Sequence, residues 1–244
     1  MAGGKETPRQ KMIGMMYLVL TALLALNISK EILDAFVLIN EGLENTKVTF
    51  KEKITDQYAK FEASFTENPQ KYRENWEKAK EVRESANELI NQIDQIKAYV
   101  ISKVEGRDIE TVIADNGRGQ DTVLSLQYVE TKDNKDINTN VMIGEDPANP
   151  RESHPDGDFL TAHNLRTNLA DYRDQIVDLL EGNNELLAAN VQHTFNFEER
   201  KDASGTTNNW ESLNFYYIPL AATITNLSKL QTDVRNTESD VVSY

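Results

Sequence analysis

A polar segment, residues 1–11, opens the chain and passes at once into "MIGMMYLVLTALLALNIS", residues 12–29, which carries no charged side chain. As a helix this run is about 27 Å long at 1.5 Å per residue, against a hydrocarbon core of about 30 Å. Outward snorkelling of Lys30 lets Ile32 and Leu33 lengthen it, which predicts a spanning helix over 12–33. A cleaved signal peptide and a buried core helix are the competing readings. No small-x-small cleavage pattern follows the run, and the next residues read as a continuing helix, so a retained anchor is favoured. Thr7 is the expected cap and Pro8 the first helical residue, where a missing N–H costs nothing.

Past the anchor, apolar positions recur at a spacing of three to four: Ile32, Phe36, Ile39, Leu43, Phe50, Ile54, Tyr58, Phe61 and Phe65. No proline intervenes before Asn68-Pro69, so the membrane helix is expected to run outward unbroken as a stalk. Its stretch at Ile32, Phe36, Ile39 and Leu43 has two readings, the inside of one bundle or a seam between two chains. A second amphipathic helix is predicted over 69–104, with Gly106 ending it and another turn or two at 109–114.

Residues 115–158 break the pattern. "DNGRGQD", "TKDNKD" and "GEDPANPRESHPDGD" are polar and turn-rich, which predicts an excursion with little regular structure. Within it "TVLSLQYVE" and "NTNVMIG" read as short strands or as apolar hooks tucked against a bundle. Helical spacing resumes near Phe159 with Leu165, Leu169, Tyr172 and Ile176, then stops at 182–184; a short helix over 185–191 follows. "FNFEERKDASGTTNNW" reads as a loop, and a last helix starts at Pro219. It reaches the final residue without a cap, which raises the expectation of further domains beyond.

Charge supplies orientation. Lys5, Arg9 and Lys11 against Glu6 leave residues 1–11 at +2, whereas Lys30 and Lys47 against Glu31, Asp34, Glu41 and Glu44 leave 30–49 at −2. Basic residues stay on the cytoplasmic side, so everything after residue 30 is expected outside the cytoplasmic membrane. The whole chain carries −14, which argues against nucleic acid and against lying flat on an anionic leaflet. It has no cysteine, hence neither disulfide nor cysteine-based metal site. The predicted fold is mainly α: a single transmembrane helix continuing into a periplasmic antiparallel helical bundle with a long irregular excursion at about 115–158. The expected division is a cytoplasmic N-terminus (1–11), spanning helix (12–33), bundle (34–224) and the end of the last helix (225–244).

Candidate chemistry is sparse. His154 lies near Asp156 and Asp158, but His154, His163 and His193 show neither i, i+4 ligand spacing nor an H-E-x-x-H motif. "DNGRGQD" and "DNKDINTN" lack the terminal bidentate Glu of a calcium loop. No G-x-S-x-G, phosphate loop or dinucleotide fingerprint is present, so no catalytic, cofactor or metal residue is predicted. The anchor holds no Asp or Glu, so it supplies no carboxylate for an intramembrane proton relay. Tyr17, Thr21 and Asn27 are its larger polar side chains: tolerated polarity, or contacts to a partner helix. Arg9, one turn before the apolar run, is either a topology signal or a partner for an acidic residue on a neighbouring helix, where scarce water strengthens the pairing.

"MAGGKETPRQKMIGMMYLVLTALLALNISKEILDAF" resembles the opening of the GldM family, PorM in secretion-system naming, through "AGGKxTPRQKMI", "MYLV" and "NxSKEILDAF" together. "DVRNTE" in the last helix adds to the resemblance, which covers essentially the whole chain as the N-terminal part of a longer protein. It implies an inner-membrane motor subunit of the Bacteroidetes type IX secretion system and of gliding motility, driven by proton-motive force. Two copies would pass their single helices through a ring of the polytopic partner GldL (PorL), with the residue matching Arg9 pairing a membrane glutamate of that partner. Later β-rich domains would reach outer-membrane-associated secretion components. Rival readings are a periplasmic sensor bundle, an anchored hydrolase dependent on His154 or His163, and a passive tether.

Overall fold

The computed structural model describes residues 7–26, 28–114, 122–201 and 205–244. Helix α1 spans Pro8–Leu26. A reciprocal capping box starts it: Gln10 Oε1 accepts the Thr7 N–H at 3.0 Å, and Thr7 Oγ1 accepts the Gln10 N–H at 3.4 Å. The cap expected at Thr7 is therefore present.

An unbroken membrane-to-stalk helix is not. α1 stops at Leu26, and Ser29, in extended conformation, turns its hydroxyl onto the Ile32 N–H to cap a new helix, α2 (Lys30–Glu67). A serine that satisfies an orphan N–H favours a helix start over a helix interior. Among the described residues no helix is long and apolar enough to cross a membrane.

Asn68 ends α2 and its side chain accepts the Lys71 N–H, starting α3 (Pro69–Glu105) with Pro69 in the first turn. Gly106, at φ 64°, closes α3 in the left-handed conformation that a side chain would oppose. The excursion follows. It holds α4 (Ile109–Val112), β1 (Ile113–Ala114) paired antiparallel with β2 (Thr122–Val123), a 3-10 turn (Leu126–Tyr128) and α5 (Asp136–Met142). Its two apolar stretches are hooks: Leu126, Val129, Val141, Met142 and Ile143 are all buried in the main core. The first forms only a two-residue strand, and the second is helical.

The chain then builds α6 (Ala162–Leu180), capped by Thr161, and α7 (Glu185–Thr194), capped by Asn184. Beyond α7 the expected loop contains a small hairpin, β3 (Arg200–Lys201) with β4 (Thr207–Asn208), and then α8 (Trp210–Phe215), capped by Asn209. Helix α9 (Leu220–Ser243) completes the bundle.

Helix directions correct the expectation of a simple antiparallel bundle. Phe36 meets Thr225, Asn40 meets Ser228 and Gln57 meets Ser239, so α2 and α9 ascend together. Against α3 the numbers run oppositely: Glu44 meets Lys97 while Tyr58 meets Ala79. α6 also opposes α3, through Gln92 with Asn164 and Ser85 with Gln175. Helices α2, α6 and α9 thus run one way and α3 the other. The segment from α7 through the β3–β4 hairpin to α8 makes this possible by returning the chain from the end of α6, where Tyr244 meets Asn183, to the start of α9, whose first N–H groups are held by the Lys132 and Asn134 carbonyls of the excursion.

One core, built around Ile93, Ile96 and Val100 of α3, Leu165 and Leu169 of α6, and Leu227 and Val234 of α9, joins these helices. Each such side chain contributes about 1.5–3 kcal/mol on burial. A smaller cluster of Ile54, Tyr58 and Ala79 lies toward the α2–α3 tip. There Trp76 stacks on Phe65 at 5.9 Å and meets Phe61 edge-on at 5.4 Å.

Candidate functional site

The residues expected to meet a membrane partner lie on α1, except Asn27, which falls outside the described residues. Arg9 sits in the first turn, exposed and, among the described residues, without an ion pair. Tyr17 is exposed, and Thr21 spends its hydroxyl on the Tyr17 carbonyl at 2.6 Å. Thr21 therefore needs no outside partner to satisfy its donor.

The expected seam is one stripe along the margin of the buried face of α2, and its members differ in burial. Phe36 turns inward and packs against the main core with Leu33 and Val37. Ile32 and Ile39 face outward, 52% and 53% exposed, and Leu38 beside them is 69% exposed. Leu43 is half-buried at the margin. The inside-of-the-bundle reading therefore holds at Phe36, while Ile32 and Ile39 stay exposed.

Between Val37 and Phe50 no side chain of α2 joins either apolar cluster. Polar groups hold it there instead. Lys97, on α3 and 2% exposed, places Nζ 2.9 Å from Glu44 Oε1, 2.7 Å from Ser228 Oγ and 2.7 Å from Gln231 Oε1. Ser228 donates to Asn40 Oδ1 at 2.6 Å. Gln231 donates to the Ile90 carbonyl at 3.1 Å and to Asp94 at 2.7 Å. Lys47 closes the ring with Glu44 at 2.8 Å and Gln231 at 3.0 Å. Burial opposes ionisation of Glu44, but the Lys97 and Lys47 ammoniums outweigh it and hold the carboxyl at about 2. Burial pushes Lys97 below the ordinary lysine range against the pull of Glu44.

Sequence reasoning missed this network. Its one legible signal is a lysine set among the apolar residues of "QIKAYVIS" on α3, with Asn40 and Gln231 in corresponding places on α2 and α9. A second buried ionic group lies further along: Arg235 Nη1 meets Glu238 at 2.6 Å and Arg235 Nη2 meets Asn87 at 2.9 Å. Burial raises the Glu238 carboxyl against the pull of Arg235.

The histidines stand apart. His154 packs edge-on against Tyr99 at 5.6 Å, and its Nδ1 accepts the Asp156 N–H at 3.1 Å. Burial, then Arg151, lowers its pKa. His163 lies 3.7 Å from Glu211, which Arg166 pairs at 2.7 Å. Neither shares a contact with the other. Among the described residues no group of three or more His, Asp or Glu is gathered to hold a metal ion.

No curated protein matches the chain. The family model described as the GldM N-terminal domain matches residues 31–244, starting one residue into α2 and running through the whole bundle. The chain, with its Ser29-capped α2, parallel α9 and intervening excursion, belongs to the GldM family as an N-terminal portion of it.

Proposed function

We propose that this component of gliding motility and type IX secretion works as the single-pass subunit of an inner-membrane motor driven by proton-motive force. Two copies pass the segment over 12–33 through a ring of a polytopic partner, with the bundle in the periplasm. The observation that carries the reading is the pairing of an exposed Arg9 at the start of an acid-free α1 with a family match that begins where α1 has ended. The protonatable carboxylate then belongs to the partner, and its protonation changes its attraction for Arg9 on one of the two helices. Successive changes around the ring turn or tilt the pair.

The outward Ile32, Leu38 and Ile39 supply an apolar strip for the second copy. The test is purification of the full-length protein from native membranes, as wild type and Arg9→Ala, with mass determination of the intact complex. Two copies with several copies of a small polytopic partner, kept in Arg9→Ala while gliding and secretion stop, is the expected result. Arg9→Ala cells that glide and secrete normally would refute the role of Arg9. A monomer or lone homodimer would favour a sensor or a passive tether instead.

A further inference from the structure

The middle of α2 is held to its domain in an unusual way. Over about 20 Å at 1.5 Å per residue, between Val37 and Phe50, its inward contacts are Asn40, Glu44 and Lys47 rather than apolar side chains. An apolar interface tolerates sliding, because a shift of one turn exchanges one greasy contact for another. A buried ammonium does not. Displaced by a turn, Lys97 would lose Glu44, its only charged partner within 4.0 Å among the described residues, and would stay desolvated. Ion pairs of this kind add little net stability over apolar packing, and their best-attested use is to fix register. The same interface has a further polar tie toward the end of α9: Ser239 donates to Gln57 Oε1 at 3.1 Å, and Gln57 Nε2 donates to the Ser239 carbonyl at 3.1 Å.

We infer that Lys97 is the positioning residue of a register lock, which ties α2 to α9 and α3 so that displacement of α2 turns the whole bundle instead of sliding α2 along it. This rests on the motor reading above. Lys97 touches no partner. It acts through Glu44, Ser228 and Gln231, one from α2 and two from α9, and it reaches both helices from α3, which runs against them. A load along α2 is resisted on two sides at once.

The test uses the full-length protein with its membrane partner in native membranes. Lys97→Met keeps length and apolar volume and leaves Glu44 paired to Lys47. Its expected phenotype is a helical content close to wild type, a lowered melting temperature with the bundle still folded at growth temperature, an intact complex, and gliding and secretion reduced at least tenfold. Lys97→Arg, which retains the charge, is expected to keep more activity than Lys97→Met. The chain has no cysteine, so cysteines replacing Asn40 and Ser228, whose side chains meet at 2.6 Å, are the one pair of thiols between which a crosslink can form. Added to Lys97→Met, it is expected to restore movement when oxidised and to lose that rescue on reduction. Full activity in Lys97→Met overturns the lock. So does a variant whose activity merely follows its stability, with a lower growth temperature alone restoring movement, since Lys97 would then be structural. Failure of the motor reading is seen separately, as wild-type movement that does not depend on proton-motive force.

Discussion

Asn40 Oδ1 on α2 accepts the Ser228 hydroxyl of α9 at 2.6 Å, across 188 residues of chain. Asn40 is 3% exposed and Ser228 1% exposed, so the two polar groups have only each other and the neighbouring ring of Glu44, Lys97 and Gln231. Truncating Asn40→Ala removes the nearer of the two acceptors of the Ser228 hydroxyl, leaves it Glu44 Oε1 at 3.0 Å, and is expected to cost about 0.5–1.5 kcal/mol. A urea titration of residues 31–244 reads this as a lower midpoint at unchanged slope; an unchanged midpoint would place water at the site.

Glu44 gives the bundle an acid-side pH dependence. Its carboxyl is held at about 2 in the folded chain against 4.5 ordinarily. The depressed value means that its stabilisation is present above pH about 4.5 and is lost as pH falls toward 2. Thermal melts from pH 6 down to pH 2.5 are expected to show a falling midpoint, with a shallower fall in Glu44→Gln. Equal slopes in the two proteins would assign the acid sensitivity elsewhere.

Phe36 and Ile39 are expected to part company under the same substitution. Phe36→Asp puts a charge against the main core and is expected to unfold the bundle or cost about 3–5 kcal/mol. Ile39→Asp, on the outward face, is expected to leave the melting temperature within a few degrees while weakening self-association, read by analytical ultracentrifugation. Dimerisation unaffected by Ile39→Asp would move the seam off α2.

Gly157 holds φ 146°, and a Cβ there would lie 2.3 Å from the Phe159 ring. That turn leads directly into α6, and the Phe159 carbonyl is held by Gln92 Nε2 at 3.0 Å. Gly157→Ala is expected to destabilise by about 1–3 kcal/mol through backbone strain and ring displacement. Chemical denaturation is the check.

The Arg235–Glu238 pair is expected to show the asymmetry of buried charges. Glu238 is fully buried, and Tyr58 and Arg235 both bond to its carboxylate. Replacing Glu238 alone by Leu strands the Arg235 guanidinium and is expected to cost about 3–5 kcal/mol. The double change Arg235→Met with Glu238→Leu is expected to be neutral or stabilising by as much as about 3 kcal/mol. A double variant as unstable as the single one would show that the pair itself carries stability.

Local chemistry was legible where neighbours in sequence decide it. Thr7 with Gln10, Asn68 with Pro69, and Gly106 mark helix boundaries because each satisfies or relieves backbone groups a few residues away. The stripe on α3 announced its buried face for the same reason. Ser29 was equally local, a serine followed by a helical run, but the apolar stretch before it masked the cap, and the helix was read straight through. The hairpin at 200–208 and α8 escaped because two-residue strands and a six-residue helix are too short for any period to show.

The sequence by itself determined a mainly helical chain, where most of its helices start and stop, and its family, since propensity, capping and motif act over short separations. Only the tertiary structure decided that α9 lies parallel to α2, that Phe36 packs on the core while Ile39, about one turn on, stays exposed, and that Lys97 is a buried partner of Glu44, Ser228 and Gln231. The physical reason is range. A lysine in a helix is solvated or buried according to what packs over it, and the residues that pack over Lys97 come from 53 residues before it and from as many as 134 after it.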